Sequence, residues 1–130
     1  MNTINVYFDG GTSRIDGYGS FEVEFNGFNK KENRIPFKAT EFKRKITSTV
    51  AEYLALLSAL YWLRTVKNKP DYHVHIHGDC KAVIYSVQGK QNHKQLYLKA
   101  LQERTKQLLF GFKWQCEYQP RKKIVSRFGH

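Results

Sequence analysis

Three acidic residues draw attention first, because each lies where the sequence pattern changes. Asp9 follows a short apolar run, Asp79 follows a run that alternates between apolar and polar residues, and Glu52 lies near the start of a long stretch with helical periodicity. A set made only of carboxylates suits a hard cation such as Mg²⁺ or Mn²⁺. If the three groups meet, they could hold two such ions about 4 Å apart, an arrangement suited to phosphodiester cleavage.

The elements around these residues decide whether the side chains meet. Residues 4–8 form a β-branched and aromatic run that ends in a turn signal at residues 9–11. Residues 18–25 alternate as a half-buried strand, and a hairpin-type turn follows at residues 26–27. A third strand is predicted within residues 34–45.

The second half of the chain alternates between helices and strands. Helical periodicity begins at Thr49 and predicts a helix that ends near Lys67. Four further elements are predicted, namely a strand, a short helix, a longer helix and a strand, at residues 72–77, 82–87, 96–110 and 112–118. The remaining residues, 119–130, are basic and show no clear period.

These elements predict an α/β fold in a single domain, residues 1–130. Three strands joined by short turns form an antiparallel meander, and the fourth strand returns parallel to a neighbour through a right-handed crossover. If the first and fourth strands are neighbours, Asp9 and Asp79 emerge at the same carboxyl edge of the sheet, where open α/β sheets bind ligands. The long helix would bring Glu52 to the same place.

Each carboxylate also has an ordinary structural interpretation. Asp9 before two glycines is a common turn residue. Glu52 follows Thr49 at capping-box spacing and could accept a hydrogen bond from the backbone of that residue. Asp79 could cap the helix that begins near Lys81.

The charge of the chain favours a polyanionic partner. Twenty-two Lys and Arg against eleven Asp and Glu give a net charge of +11, and a small domain this basic is expected to attract nucleic acid. A solvated basic surface is the alternative. No apolar stretch is long enough to cross a bilayer, and neither a secretory signal nor a disulfide framework is present. We therefore expect a cytoplasmic monomer that needs no obligate protein partner and no membrane.

Three separated segments resemble the ribonuclease H family, in matching order along nearly the whole chain. They are VYFDGG with the later GYGS, TSTVAEYLAL, and IHGDCKAVI, at residues 6–11 and 17–20, 47–56, and 76–84. The resemblance implies a ribonuclease H-like fold with a mixed five-stranded sheet flanked by helices. It also implies a two-metal-ion endonuclease that uses Mg²⁺ or Mn²⁺ to cut the RNA strand of an RNA–DNA hybrid. Asp9, Glu52 and Asp79 match three of the four catalytic, metal-binding carboxylates of that family.

The resemblance also implies substrate contacts. Family members select RNA through its 2′-hydroxyl groups, which DNA lacks. Ser48 and Thr49 replace two asparagines of the family, and Lys81 replaces a polar amide. The full set of predicted substrate-binding residues is Gly10, Gly11, Thr12, Ser13, Ser48, Thr49, Lys81, Arg121 and Lys122.

The fourth carboxylate of the family has no clear counterpart in this sequence. It belongs to a helix after the fifth strand, where an ungapped match gives Phe128 and a two-residue shift gives His130; no acid follows Glu117. His130 or its terminal carboxylate would then act as the fourth catalytic group, or the second ion would be weakly held. Alternatively, His130 is a frayed terminus.

Two further hypotheses are open, the first of them motivated by the missing fourth carboxylate. The chain could be a catalytically weak or inactive module that binds hybrid or double-stranded nucleic acid, or a nuclease with another substrate such as a DNA junction. His73, His75 and His77 alternate along one strand, and a polar sheet face explains them better than zinc binding does.

Overall fold

The structure is a computed structural model that describes residues 2–66 and 72–129. Its strands are β1 (Asn2–Ser13), β2 (Asp16–Phe25), β3 (Phe28–Phe37), β4 (Tyr72–Gly78) and β5 (Lys113–Tyr118). Its helices are α1 (Ala39–Phe42), α2 (Ser48–Val66), α3 (Lys81–Val87), α4 (Leu96–Leu109) and α5 (Arg121–Phe128).

The five strands form one mixed sheet in the order β3-β2-β1-β4-β5. The first three strands pair antiparallel, whereas β1 pairs parallel with β4 and β4 pairs parallel with β5. This arrangement confirms the predicted α/β fold with an antiparallel meander followed by parallel strands. It also confirms that the first and fourth strands are neighbours.

The main core lies between one face of this sheet and α2. Alternate residues of β1 point into it and are fully buried, namely Ile4, Val6 and Phe8. From Val50 to Leu57 every residue of α2 is buried, because the helix is covered by the sheet and by α4. The described residues include no helix that is long and apolar enough to cross a membrane.

The third strand is where the sequence prediction was wrong. It was predicted within residues 34–45, but β3 covers Phe28–Phe37, and the short helix α1 occupies part of the predicted range. As an edge strand, β3 buries Phe37 and partly buries Lys30 and Ile35. Its central residues are therefore free to be charged, and they show no apolar alternation.

Two further boundaries differ from the prediction. The strand β1 does not end before Asp9 but continues to Ser13, paired with β2 throughout. Residues 119–130, for which no period was predicted, contain α5. Only Ile124 and Phe128 of α5 are buried, and two apolar residues are too few to reveal a helical period.

Candidate active site

Asp9, Glu52 and Asp79 come together at the carboxyl edge of the parallel strands. One carboxylate oxygen of each lies within 4.8 Å of the others. All three side chains are nearly inaccessible, with Asp9 5% and Glu52 7% exposed and the side chain of Asp79 4% exposed. Three carboxylates this close repel one another, so the geometry suits a bound cation.

Local features of the chain explain why the three groups meet. The parallel pairing of β1 with β4 brings Asp9 and Asp79 to neighbouring strands at one edge. Gly10 lets β1 approach α2 closely, since a Cβ at this position would lie 2.5 Å from the carbonyl carbon of Ala51. The Gly10 backbone N–H then donates to Oε1 of Glu52 at 2.6 Å.

The ordinary structural interpretations of the three acids are wrong. Asp9 lies inside β1, paired with Ser20, and not in a turn. Glu52 accepts a hydrogen bond from Gly10 across 42 residues, whereas the side chain that accepts from the first turn of α2 is that of Thr47. The N-cap of α3 is Cys80 and not Asp79.

Holding three buried carboxyl groups close together raises the pKa values of two of them, Glu52 and Asp79. Burial, and then the charges of Asp9 and Asp79, raises the pKa of Glu52 to about 9. Burial and the charge of Asp9 also raise the pKa of Asp79, against the opposing effect of Arg121. Glu52 and Asp79 share a hydrogen bond, which stabilises the proton on Glu52. The all-oxygen donor set and these raised pKa values fit a divalent cation that would replace this proton.

Among the predicted basic substrate contacts, Arg121 is the one that forms an ion pair with a carboxylate of the cluster. It is the first residue of α5, and its Nη1 lies 3.4 Å from Oδ2 of Asp79. Its side chain is 74% exposed, so most of the guanidinium still faces solvent. Lys122 and Lys123 follow on the same helix and are also exposed.

The other predicted contacts are distributed around this edge. Thr12 and Ser13 are exposed at the end of β1, which continues four residues past Asp9 together with β2. Gly11 packs so closely under Tyr18 that a Cβ would lie 2.5 Å from the phenol oxygen. Ser48 is exposed and Thr49 half-buried at the start of α2, and the Nζ of Lys81 lies 5.2 Å from the ring centroid of Tyr118.

The predicted fourth catalytic group, His130, lies outside the described residues. The helix that precedes it, α5, has the sequence RKKIVSRF and contains four basic residues and no acidic one. Phe128, the ungapped match to the family carboxylate, is a buried apolar residue. Within the described residues, the acidic cluster therefore has three members.

The polar network that holds α5 on the sheet was not predicted. Arg127 donates from Nη1 to Glu22 at 2.8 Å and to Glu24 at 3.3 Å, and from Nη2 to the Tyr7 hydroxyl at 3.0 Å. The Tyr7 ring stacks on His77 at 4.7 Å between centroids. The sequence signal for this network is that Glu22 and Glu24 lie at alternate positions of one strand. Such a pattern does not identify Arg127 as the partner, which lies 105 residues from Glu22 in the chain.

The three strand histidines belong to this polar face and do not form a metal site. The rings of His73 and His75 are 4.5 Å apart, and His77 hydrogen-bonds to Asn5 and Gln119. Within residues 2–66 and 72–129, the carboxylate cluster is the group whose ligand atoms converge.

Comparison with known proteins agrees with this geometry. The reverse transcriptase-like family model matches residues 8–126. The structure is similar to that of ribonuclease H1 from the archaeon Halobacterium salinarum, with a TM-score of 0.70 and 21% identity over 97% of this chain and 93% of that one. It is also similar to LC11 ribonuclease H1, isolated from compost, with a TM-score of 0.75 and 25% identity over 99% of this chain and 91% of that one.

A third solved structure is that of LC11 ribonuclease H1 in complex with an RNA/DNA hybrid. Its TM-score is 0.72, with 21% identity over 95% of this chain and 89% of that one. No curated protein sequence matches the chain significantly. The extent of the family match shows that the chain belongs to the reverse transcriptase-like family, and its fold is that of ribonuclease H.

Proposed function

We propose that this protein is a ribonuclease H, a metal-dependent endonuclease that hydrolyses the RNA strand of RNA–DNA hybrids. The observation that carries the proposal is the convergence of Asp9, Glu52 and Asp79 within 4.8 Å in a chain of ribonuclease H fold. The hybrid bound to LC11 ribonuclease H1 supports the choice of substrate. A cytoplasmic location and a monomeric state remain predictions from the sequence.

The carboxylates would hold one or two ions of Mg²⁺ or Mn²⁺. Held there, the ions would supply the activation of water and the stabilisation of the leaving oxygen that phosphodiester hydrolysis requires. Asp9 and Glu52 are oriented by rigid elements, since the backbone of Gly10 binds Glu52 and the pairing of β1 fixes Asp9. This rigidity holds the acidic cluster together before substrate arrives.

The surrounding residues would position the nucleic acid. Arg121 offers a guanidinium to a phosphate beside Asp79, and Lys122 and Lys81 add positive charge. The extension of β1 and β2 past Asp9 forms a wall about 13 Å long at 3.3 Å per residue, which would lie along the substrate. The remaining proposed contacts on this wall and at the start of α2 are Gly10, Gly11, Thr12, Ser13, Ser48 and Thr49.

The composition of α5 supports a second candidate. With four basic residues and no acid in this helix, the chain could bind hybrid or double-stranded nucleic acid and cut it slowly or not at all. In that case Arg121 would neutralise Asp79 and hold phosphate, and the carboxylates would have no catalytic role. The two candidates differ in their products and not in their binding.

A cleavage assay separates the candidates. We expect labelled hybrid to be cut in the presence of Mg²⁺ or Mn²⁺ and to remain intact in EDTA. Asp9→Asn should lower the rate by at least about a hundredfold, the scale of losing one group that stabilises the transition state, with hybrid binding largely retained. Glu32→Gln, a charge-matched change on the exposed strand β3, should leave the rate unchanged.

Two results would contradict the proposal. Folded protein that binds hybrid but produces no fragments with either ion would establish the binding module. Fragments from branched DNA or double-stranded RNA, but not from hybrid, would assign a different substrate to the same chemistry.

A further inference from the structure

An apolar groove lies between α2 and α4, beside the short helix α1. Its volume is about 450 Å³, and its lining is mainly apolar and aromatic. Four of the lining residues belong to α2 and stand at the spacing i, i+3, i+4 and i+7, namely Leu54, Leu57, Ser58 and Tyr61. Residues at this spacing form one continuous stripe along a helix. An open groove that follows such a stripe is suited to the apolar face of a further helix.

The floor of the groove belongs to the core, whereas its rim is exposed. Leu54 and Leu57 are buried in a cluster with Phe37. On the rim, Tyr61 is 48% exposed, and Ala100 of α4 is exposed as well. In the part of the chain that the structure describes, no side chain fills the space above this floor. Exposed apolar surface with a polar rim is typical of a protein-binding site.

Two arginines flank the groove along α4. Arg104 lines it directly and is exposed. The guanidinium of Arg44 lies 3.9 Å from the ring centroid of Tyr97, which is one turn before Ala100 on α4. Neither arginine forms an ion pair with a described residue, and the exposed Glu41 of α1 pairs with neither of them. The two positive charges are therefore available to a partner and lie about 10 Å apart along the helix.

The charge of the groove and of the whole chain decides which occupant fits. A second copy of this chain would meet repulsion between two molecules of net charge +11. A nucleic acid is negatively charged but has no apolar stripe to cover the floor formed by Leu54 and Leu57. An acidic amphipathic helix meets both requirements, since its apolar stripe can cover the floor and its carboxylates can pair with the arginines.

We propose that the groove binds an acidic amphipathic helix of another protein. The apolar stripe of that helix packs on Leu57 and Tyr61. Two of its carboxylates, about two turns apart, pair with Arg44 and Arg104. The proposal concerns a surface other than the acidic cluster, and it does not rest on the proposed function.

A synthetic peptide tests the chemistry of the partner. The probe is a labelled amphipathic peptide of about 18 residues, or five helical turns, with leucine along one face and glutamate along the other. We expect it to bind the full chain with a dissociation constant in the micromolar range, measured by fluorescence anisotropy at about 0.15 M salt. A peptide of the same composition in scrambled order, and one with lysine in place of glutamate, should bind at least about tenfold more weakly.

A matched pair of charge reversals tests the place of binding. Arg104→Glu puts a like charge beside the peptide and should weaken binding by about tenfold. Lys106→Glu makes the same change in net charge on the same helix, but Lys106 is exposed beside His93 and Glu103, away from the groove. Its effect should be less than about twofold, because charges separated by more than a Debye length are largely screened.

A second pair tests the apolar contact. Tyr61→Gln removes an exposed aromatic ring from the rim of the groove, whereas Phe110→Gln removes one that is 78% exposed just after the end of α4. We expect Tyr61→Gln to weaken peptide binding by about fivefold to tenfold, the effect of truncating a contact residue of an interface. Phe110→Gln should bind the peptide as the unaltered protein does. Thermal unfolding of each variant reports whether a loss of binding comes from a loss of folding.

The outcomes separate a groove from a general attraction to a basic protein. A selective loss of binding in Arg104→Glu and Tyr61→Gln would support the proposal, whether or not the protein cuts hybrid. Equal losses in Arg104→Glu and Lys106→Glu, or equal binding of the scrambled peptide, would overturn it. A dimer in analytical ultracentrifugation that Tyr61→Gln abolishes would assign the groove to a second copy and overturn it as well.

Discussion

Gly10 lies where β1 crosses the first turns of α2, and it is the residue whose size controls the distance between Asp9 and Glu52. A Cβ at Gly10 would meet backbone atoms of Ala51 and Glu52 at 2.5–2.7 Å. Backbone cannot move aside as a side chain can. Strand and helix would therefore have to separate at the acidic cluster.

We expect Gly10→Ala to destabilise the protein by about 3 kcal/mol, the upper range for inserting a methyl group into a packed site. Gly11→Ala is the matched control, because its Cβ would meet the end of the Tyr18 side chain, which can rotate. Denaturant unfolding of both variants gives the comparison. Equal losses of stability would contradict the close contact at Gly10.

Arg121 is expected to affect substrate binding more than stability, because its side chain is 74% exposed. Arg121→Ala should leave the free energy of unfolding within about 0.5 kcal/mol, as exposed substitutions usually do. Loss of a charged hydrogen bond to phosphate should lower kcat/KM on hybrid by about tenfold to a hundredfold. Arg121→Lys should recover part of this loss, since lysine restores the positive charge but not the paired N–H donors of the guanidinium. A fully active Arg121→Ala would remove this residue from the site.

At the scale of elements, α5 is held on the sheet by polar contacts as well as by its buried residues Ile124 and Phe128. Arg127 binds Glu22, Glu24 and the Tyr7 hydroxyl, and its guanidinium lies 3.7 Å from the Tyr7 ring centroid. Because α5 also carries Arg121, this network fixes the guanidinium beside Asp79.

Arg127→Met should therefore destabilise the protein by about 2 kcal/mol, because Glu22 is left buried without its charged donor. It should also weaken hybrid binding through the displacement of α5. Arg127→Lys keeps the charge but loses the paired hydrogen bonds, and an intermediate stability is expected. Chemical denaturation measures the free energy of unfolding of both variants. Unchanged stability in Arg127→Met would show that the Arg127 side chain does not contribute to holding α5 on the sheet.

The same network predicts a dependence of stability on pH. Burial raises the pKa of Glu22, but hydrogen bonds from Asn29 and Arg127 outweigh it, and the pKa lies below its usual value of 4.5. Stability from a lowered carboxyl pKa is present above the pKa of the unfolded chain and is lost as pH falls through the folded value. Unfolding measured below about pH 4.5 should show this loss in the native protein. The loss should be smaller in Arg127→Met.

Strands and helices were predictable from sequence where one face is buried and the other is not. The strand β4 alternates strictly because Tyr72, Val74 and Ile76 face the core, and its position was predicted closely. The edge strand β3 and the short helix α5 bury too few residues for any period to appear. Their positions depend on partners distant in the chain, such as Asn33, which donates to the Phe128 carbonyl.

The acidic cluster was predictable for a related reason. Asp9 follows an apolar run and Asp79 follows an alternating one, both predicted as strands, and parallel neighbours place the residues that follow such runs at one edge of the sheet. The role of the glycines was only partly accessible. The sequence pattern at Gly10 and Gly11 predicts a turn, because a close approach of strand to helix requires the same residue type as a turn does.

For the whole molecule, the acidic cluster links stability to metal and pH. Without a cation, the pKa of Glu52 is raised from 4.5 to about 9. A raised carboxyl pKa gives stability that is fully present below the unfolded value and is lost as pH rises through the folded value. The melting temperature in EDTA should therefore fall between about pH 5 and pH 9, and Glu52→Gln should remove this fall.

Mg²⁺ or Mn²⁺ should counteract the effect, because a bound ion takes the place of the proton on Glu52. At about one hundred times its dissociation constant, an ion adds about 2.7 kcal/mol to the folded state. The melting temperature at alkaline pH should rise with added metal, and Asp9→Asn should show a smaller rise. No rise with either ion would contradict the metal site.

The charged edge of the sheet has a consequence for how the protein behaves at high concentration. Open strand edges are templates on which other chains can add and grow into aggregates. The outer strand β3 carries Lys30, Lys31, Glu32 and Arg34, and it includes Pro36, which has no N–H to offer a new strand. Net charge and the irregular backbone at Arg34, with φ of 55°, oppose a flat edge-to-edge contact. The charged residues that made β3 hard to find in the sequence thus also oppose the addition of a second chain to this strand in concentrated solution.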